Sequence, residues 1–424
     1  METLRFLFTS SFYPPWHFGG DAVHVSHLAQ ELARRGHEVH VLHSLDAFRV
    51  KRRHVARSAV IGEVFTHPIE TSFSLSAYAA YVLGRSRPIS RRFHDLVKEV
   101  RPDVVHHHNI SLLGYDILAK HGSYLNLYTA HDYWLICPQN NLLRKGSCLS
   151  CESDSCIGCS LRHSKPPQLW RYLPAFGRAV EDIDVMIAPS NYLRDKLASR
   201  ISINSVNIPN FVPDPPIGIQ SSEAPDFVLY AGTLEEHKGI VPLIRAFKEI
   251  ANESKLRLVV VGDGTLRQRI KELVGRLGLT RSVFLMGWVD RANLYSLLKG
   301  ADMLVVPSIC PENSPLVALE ALSMSVPVVG SNRGGIPEIV SRLDNNLIFS
   351  WELERDLERA IDYSHENGGR LRKEAQSVHQ EYFSAQAYLT SYDKLLSTWQ
   401  EKAIAKEGQQ IRASQRLFSG TNVS

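Results

Sequence analysis

The sequence predicts an α/β protein built from two doubly wound, parallel-sheet domains. Three observations carry this. Short apolar strand-like runs alternate with helix-period segments through the first half. A proline-rich stretch without periodicity then interrupts the pattern, and the alternation restarts after it. In order, Leu4–Thr9 reads as a strand, and Val23–Arg35 as a helix with Val25, Leu28, Ala29 and Leu32 on one face and Gly36 closing it. Glu38–Leu42, Val104–His106, Tyr124–Thr129 and Asp184–Ala188 read as further strands, with helices expected over Ser111–Lys120 and Asn191–Ser199. Residues 209–225 hold Pro209, Pro213, Pro215, Pro216 and Pro225 and read as a linker. Beyond it, strands are expected at Phe227–Ala231, Leu256–Val261, Val283–Met286, Met303–Val306 and Val326–Val329. Helices are expected at Val241–Ala251, Leu266–Arg276, Ala292–Lys299 and Pro315–Ser323. The division is therefore 1–208, the linker 209–225, a second domain 226–385, and a helix with a polar, disordered tail over 386–424. Two such domains bind a ligand between the carboxyl ends of their strands.

Composition narrows the class. With 424 residues, 44% hydrophobic and 22% charged, collagen-like, disordered and coiled-coil chains are excluded. No run approaches the ~18 apolar residues of a membrane span, and Met1–Phe8 lacks a basic n-region, so a cytoplasmic protein is expected. Charge is uneven: eleven basic and four acidic residues between Arg49 and Arg101 make this stretch +7 where the whole chain is +4. Such a belt attracts phosphates or an anionic membrane, or is simply a solvated surface; nucleic acid is not expected as a partner.

The segment Ser308-Ile-Cys-Pro-Glu312-Asn-Ser314-Pro315-Leu316 followed by Glu320 is the richest in chemistry. Ser314 suits an N-cap and Pro315 the first helical position, so the amides from Leu316 onward face the crevice with the positive end of the helix dipole, a seat for a diphosphate. Glu312 stands just before that end and Glu320 about one and a half turns inside it, placed for two sets of sugar hydroxyls.

Glu312-x7-Glu320, Pro327-Val-Val and Gly334-Gly335-Ile336-Pro337-Glu338 together resemble the donor-site signature of the retaining glycosyltransferases of family 4, which have the GT-B fold of two Rossmann-like domains facing each other across a cleft. Tyr13-Pro14-Pro15-x3-Gly19-Gly20, Leu28-Ala29 through Gly36-His37-Glu38-Val39, Ile208-Pro209-Asn210, Ala231-Gly232-x5-Lys238-Gly239, Val261-Gly262-Asp263-Gly264 and Phe284-x2-Gly287 follow in that family's order, so the resemblance spans roughly residues 4–340. It implies a hexosyltransferase that moves sugar from a UDP- or GDP-sugar to a polysaccharide, glycolipid or other glycan acceptor with retention, without a catalytic cofactor. By this resemblance Lys238 faces the donor diphosphate, Glu312 and His131 contact the donor sugar, and Glu320 holds the ribose. Ser314, Pro315 and Leu316 bind phosphate, and Gly19, Gly20, Gly262 and Gly287 let the donor approach the backbone. One departure stands out: the arginine usual five residues before the lysine is Thr233, which brings no charge. Arg333 is a candidate replacement.

Cys148-x2-Cys151-x4-Cys156-x2-Cys159, in an insert at about 137–160, offers four thiolates to one structural zinc ion or to an iron–sulfur cluster; labile thiol pairs are the alternative. Cys137 and Cys310 read as ordinary thiols. A dehydrogenase is disfavoured because Arg267 stands where a third glycine should follow Gly262-x-Gly264. A phosphorylase or epimerase of the same fold, and a nucleotide-sugar-binding partner subunit without activity, remain the competing functions.

Overall fold

The computed structural model describes residues 3–51, 64–71, 75–142, 156–221, 226–253, 256–353 and 355–401. It contains two wholly parallel sheets. The first comprises β1 (Arg5–Ser10), β2 (Glu38–Ser44), β3 (Phe65–Ile69), β4 (Val104–His107), β5 (Leu125–Thr129), β6 (Val185–Ala188) and β7 (Ser205–Asn207), in the order β3-β2-β1-β4-β5-β6-β7. The second comprises β8 (Phe227–Ala231), β9 (Arg257–Val261), β10 (Val283–Gly287), β11 (Met303–Val306), β12 (Val328–Ser331) and β13 (Ile348–Phe349), in the order β10-β9-β8-β11-β12-β13. In both, strand order reverses beside the first strand, so each domain opens a crevice at its switch point, between β1 and β4 or between β8 and β11. The central strands are buried on both faces by flanking helices, which is why β11 reads as a continuous rather than alternating apolar run and why even His106 and His107 of β4 are enclosed.

The sequence missed the edge strands and several helices of the first domain. β3 carries Pro68, tolerated because the strand lies at the sheet edge. The helices Leu75–Leu83, Arg87–Val100 and Pro174–Glu181 were not expected, although Pro88 and Pro174 both sit in a first turn, where a missing amide costs nothing. The helix expected over Ser111–Lys120 is replaced by turns and a single 3₁₀ segment, Asp116–Leu118. There Asn109 Oδ1 accepts from the Ser111 amide at 3.2 Å and Gly114 takes φ 101°, both incompatible with a continuous helix.

The chain finishes against its beginning. Beyond the second sheet, the helix over 385–401 packs Tyr388, Leu389, Tyr392 and Leu396 into the core formed by Phe6, Phe8, Val25 and Leu28 of the first domain. The Tyr392 hydroxyl lies 3.0 Å from His106 Nδ1, and Arg35 pairs with Asp393 at 2.8 Å. Of the remaining tail, 402–424 lies outside the described residues, as do Cys148 and Cys151 of the insert. Cys156 and Cys159 are half-buried thiols on the short helix Cys156–Arg162. Cys137 is a buried thiol as expected, whereas Cys310 is disulfide-bonded, contrary to its reading as an ordinary thiol. Among the described residues no helix is long and apolar enough to cross a membrane.

Because Tyr392 joins the two ends of the chain, Tyr392→Phe should lower unfolding free energy by about 1 kcal/mol through the lost hydrogen bond. Tyr392→Ala should cost about 3–5 kcal/mol through the cavity it leaves. Urea denaturation measures both, and the ordering of the two variants is the expected result.

Candidate functional site

The site assembles where the strand ends of both sheets meet. After β8, the turn Glu236–Lys238 brings Lys238 toward the loop that follows β11, and the next residue, Gly239, has φ 72° and packs directly on the Pro307 carbonyl. A side chain there would place Cβ 1.8 Å from that oxygen, so only glycine permits the approach. The result is a contact between residues 74 apart in sequence: Lys238 Nζ donates to Glu312 Oε1 at 2.5 Å, and Ser308 Oγ donates to the same oxygen at 2.6 Å. Burial opposes ionisation of Glu312, yet the Lys238 ammonium and the Ser308 hydroxyl outweigh it and hold its pKa below the ordinary carboxylate value.

The helix that follows starts one residue later than expected. Pro315 is its N-cap, with extended backbone, and Leu316–Ser323 are helical. Ser314 does not cap: its hydroxyl is buried and, among the described residues, has no partner, while its carbonyl accepts from Asn210 Nδ2 across the domain boundary at 3.3 Å. The amino end of this helix points at another. Gly20, in the first turn of the helix Gly19–Arg34, lies so close to Leu316 that a Cβ on it would meet the Leu316 side chain at 3.2 Å. Two positive helix ends thus meet between the domains, four residues along the chain from Glu312.

His131, in the loop after β5, joins this arrangement through its backbone: Asn313 Nδ2 donates to its carbonyl oxygen at 2.6 Å. Its Nε2 sits 3.0 Å from His108 Nδ1, and the His24 ring packs edge-on at 5.4 Å. Burial lowers the pKa of His131 to about 4 and that of His24, His106 and His108 well below the usual value. His131 is therefore a neutral imidazole at pH 7, able to hydrogen-bond a hydroxyl without repelling a cation. The cluster His106-His107-His108 at the end of β4 is fully buried, which the sequence did not signal.

Glu320 faces a residue that sequence reasoning missed. Arg291, at the start of the helix Arg291–Gly300, donates to Glu320 Oε1 at 3.1 Å and to the Tyr295 hydroxyl at 3.1 Å, while its third arm lies 2.9 Å from His27 Nε2 on the opposite domain. Burial pushes the Glu320 pKa up, and Arg291 offsets part of that shift. His27, lowered to about 3 by burial and by Arg291, is neutral and serves as the acceptor. Arg291 therefore supplies a guanidinium to the cleft. Arg333, the replacement considered for the missing arginine, is engaged by Glu352 instead. Thr233 is exposed, with its carbonyl accepting from the Tyr230 hydroxyl at 2.9 Å.

Gly262 and Gly287 border the second domain's crevice. Gly262 takes φ 133° with its Cα pressed on the Gly232 carbonyl, and Gly287 lies against the Arg267 guanidinium. Next to Gly262, an open cavity of about 530 Å³ is lined in part by Asp263, Arg267, Lys271 and Leu285. Gly19, with φ 77°, opens the facing helix. Finally, Glu338 reaches across to the amino end of the helix Asn191–Ala198, accepting from the Asn191 and Tyr192 amides at 2.8 Å each.

Comparison with known proteins agrees with this geometry. The model described as Glycosyltransferase Family 4 matches residues 18–214, and that of Glycosyl transferases group 1 matches 218–380. An uncharacterized glycosyltransferase of Methanocaldococcus jannaschii is 28% identical over 79% of this chain and 82% of its own. A glycogen synthase of Mycobacterium tuberculosis is 28% identical over 80% of each. Among solved structures, sucrose-phosphate synthase from Thermosynechococcus elongatus superposes with a TM-score of 0.68 at 19% identity, covering 94% of this chain and 100% of that one. The chain is a family 4-like glycosyltransferase with the GT-B fold.

A raised Glu320 pKa gives a pH dependence. As pH falls from neutrality toward the ordinary carboxylate range, Glu320 is protonated earlier than an ordinary carboxylate and loses acceptor capacity, so nucleoside diphosphate affinity should fall. Glu320→Gln should bind more weakly at pH 7 but flatten this slope. Calorimetric titration of uridine and guanosine diphosphates across that range checks it.

Proposed function

We propose that this glycosyltransferase moves a hexose from a nucleoside diphosphate sugar to a hydroxyl of a glycan acceptor, with retention of anomeric configuration and without a divalent ion holding the donor. The observation that carries the reading is the meeting of two helix amino ends between the domains, at Gly20 and Leu316, on the segment whose Glu312 also holds Lys238, a seat for a diphosphate built from fixed charge and dipoles. In the proposed reaction the bond between the anomeric carbon and the phosphate oxygen breaks while the acceptor oxygen bonds to that carbon. The acceptor proton passes to the departing phosphate oxygen on the same face of the sugar. Lys238 leaves Glu312 to stabilise the charge growing on the diphosphate, and Glu312, so released, accepts from a hydroxyl of the transferred sugar. His131 contacts that sugar as a neutral group from the opposite domain. Glu320 holds the ribose, and Arg291 keeps its carboxylate aimed into the cleft.

The 28% identity to a glycogen synthase supports a glycan acceptor. The competing reading, a binding subunit without transfer, draws on Thr233 alone. Acceptor-dependent release of free nucleoside diphosphate separates the two: a transferase releases it only when a glycan acceptor is added, and a binder never does.

Lys238→Ala should lower kcat by about two to three decades, the loss of about 2–4 kcal/mol of transition-state stabilisation. Arg291→Ala should act mainly on the donor KM, since ribose contacts change little as the bond breaks. Proton NMR of the product should show the donor's anomeric configuration, and an inverted centre would contradict the proposed reaction.

A further inference from the structure

The helix Leu75–Leu83 is turned inside out. It carries no charged residue, and its inward side holds Ser76, Ala77 and Ala80, with the Ser76 hydroxyl bonded to the buried Asp46 carboxylate. Its outward arc is Leu75, Tyr78, Ala79, Val82 and Leu83, entirely apolar apart from one phenol. Beside it, Trp170 Nε1 donates to the Tyr81 carbonyl at 3.1 Å and so fixes the turn Leu169–Tyr172, which presents a second apolar group. Leu75, Tyr78, Leu83, Leu169, Tyr172 and Leu173 are each more than half exposed. Large side chains exposed side by side in this way mark a surface that meets something apolar.

The charge around them is mostly positive, with Asp116 near Arg85 as an exception. Residues 75–94 and 156–180 contain eight lysines and arginines and no aspartate or glutamate. Arg85, Arg87, Arg91, Arg162 and Arg178 among these are exposed, whereas Arg171 turns inward and lies 4.6 Å from the centre of the Trp170 ring. The belt expected over 49–101 is thereby resolved into parts. Arg49 is paired with Glu70 and Arg92 with Glu99, residues 52–63 lie outside the described residues, and the arginines following the apolar helix stand at its end.

We propose that this face of the first domain docks on an anionic lipid bilayer, with Leu75, Tyr78, Leu83, Leu169, Tyr172 and Leu173 entering the headgroup–acyl boundary and the surrounding arginines meeting lipid phosphates. A protein partner would be met by charges of both signs in comparable number, whereas an apolar centre with a predominantly cationic rim complements a surface that is anionic above and apolar below. The docking face adjoins the acceptor side of the cleft: Arg171 Nη1 donates to the Trp134 carbonyl at 2.7 Å, in the loop that begins at His131. Docking there brings the cleft to an acceptor carried by lipid. That last step rests on the transferase reading, and the docking surface does not.

The test is co-sedimentation of the full chain with phosphatidylcholine vesicles and with mixed phosphatidylcholine–phosphatidylglycerol vesicles, at low and high salt. Binding to the mixed vesicles is expected to exceed that to the neutral ones by about tenfold or more and to weaken with salt. The triple variant Leu75→Ser, Tyr78→Ser, Leu83→Ser should cut binding by about tenfold. Arg85→Glu with Arg87→Glu should do the same. Tm and uridine diphosphate affinity, measured on the same preparations, should stay unchanged in both variants. Absence of binding to the mixed vesicles, or binding that neither variant reduces, overturns the proposal while leaving the transferase reading to its own test.

Discussion

The organisation of the cleft depends on the ion pair between Lys238 and Glu312. Each partner stands at the end of a central strand of the second sheet, and β8 and β11 are hydrogen-bonded neighbours, so the pair closes the gap at the switch point. Glu312 is too enclosed to remain ionised by solvation alone; it does so because an ammonium and a hydroxyl share one of its oxygens. In the proposed function the same contact neutralises, at rest, the cation that faces the diphosphate. A ligand that brings its own negative charge replaces one anion with another, so binding costs little desolvation and frees a carboxylate at the moment a sugar arrives to use it.

Around that pair, contacts between the domains are made by groups to which the proposed function also gives a part in binding. Arg291 bridges Glu320 and His27, Asn313 holds the His131 backbone, and Leu316 rests on Gly20. On the proposed function, occupation of the donor site and the relative position of the domains are linked through the same side chains. The returning helix over 385–401 anchors the end of the chain in the first domain's core, while Glu338 bonds the second domain to a helix amino end on the first.

Much of this was legible in the sequence because it is local. Strand–helix alternation showed the central strands of both sheets but not the edge strands β3, β7 and β13, and Pro315 together with the paired glutamates located the amino end of the helix after β11. What escaped depends on distance or on orientation. Arg291 meets His27 across 264 residues, and nothing in its own surroundings distinguishes it from a surface arginine at a helix start. His106, His107 and His108 read as polar yet are buried, because a parallel sheet encloses both faces of β4. The one-residue shift from Ser314 to Pro315 as N-cap follows from the Ser314 carbonyl being drawn to Asn210 of the other domain, a tertiary contact that overrides local capping preference. The composition of Leu75–Leu83 suggests a buried helix; only the structure shows its apolar side facing out.

A double-mutant cycle on Lys238 and Glu312, read by calorimetric titration of uridine and guanosine diphosphates, tests the resting ion pair most directly. If the lysine is the diphosphate's cation and the glutamate its resting counter-ion, Glu312→Gln tightens nucleoside diphosphate binding and Lys238→Met weakens it. The double variant then binds as weakly as Lys238→Met alone, because the glutamate acts only through the lysine. Equal affinity in all four proteins, or additive effects of the two substitutions, would contradict it.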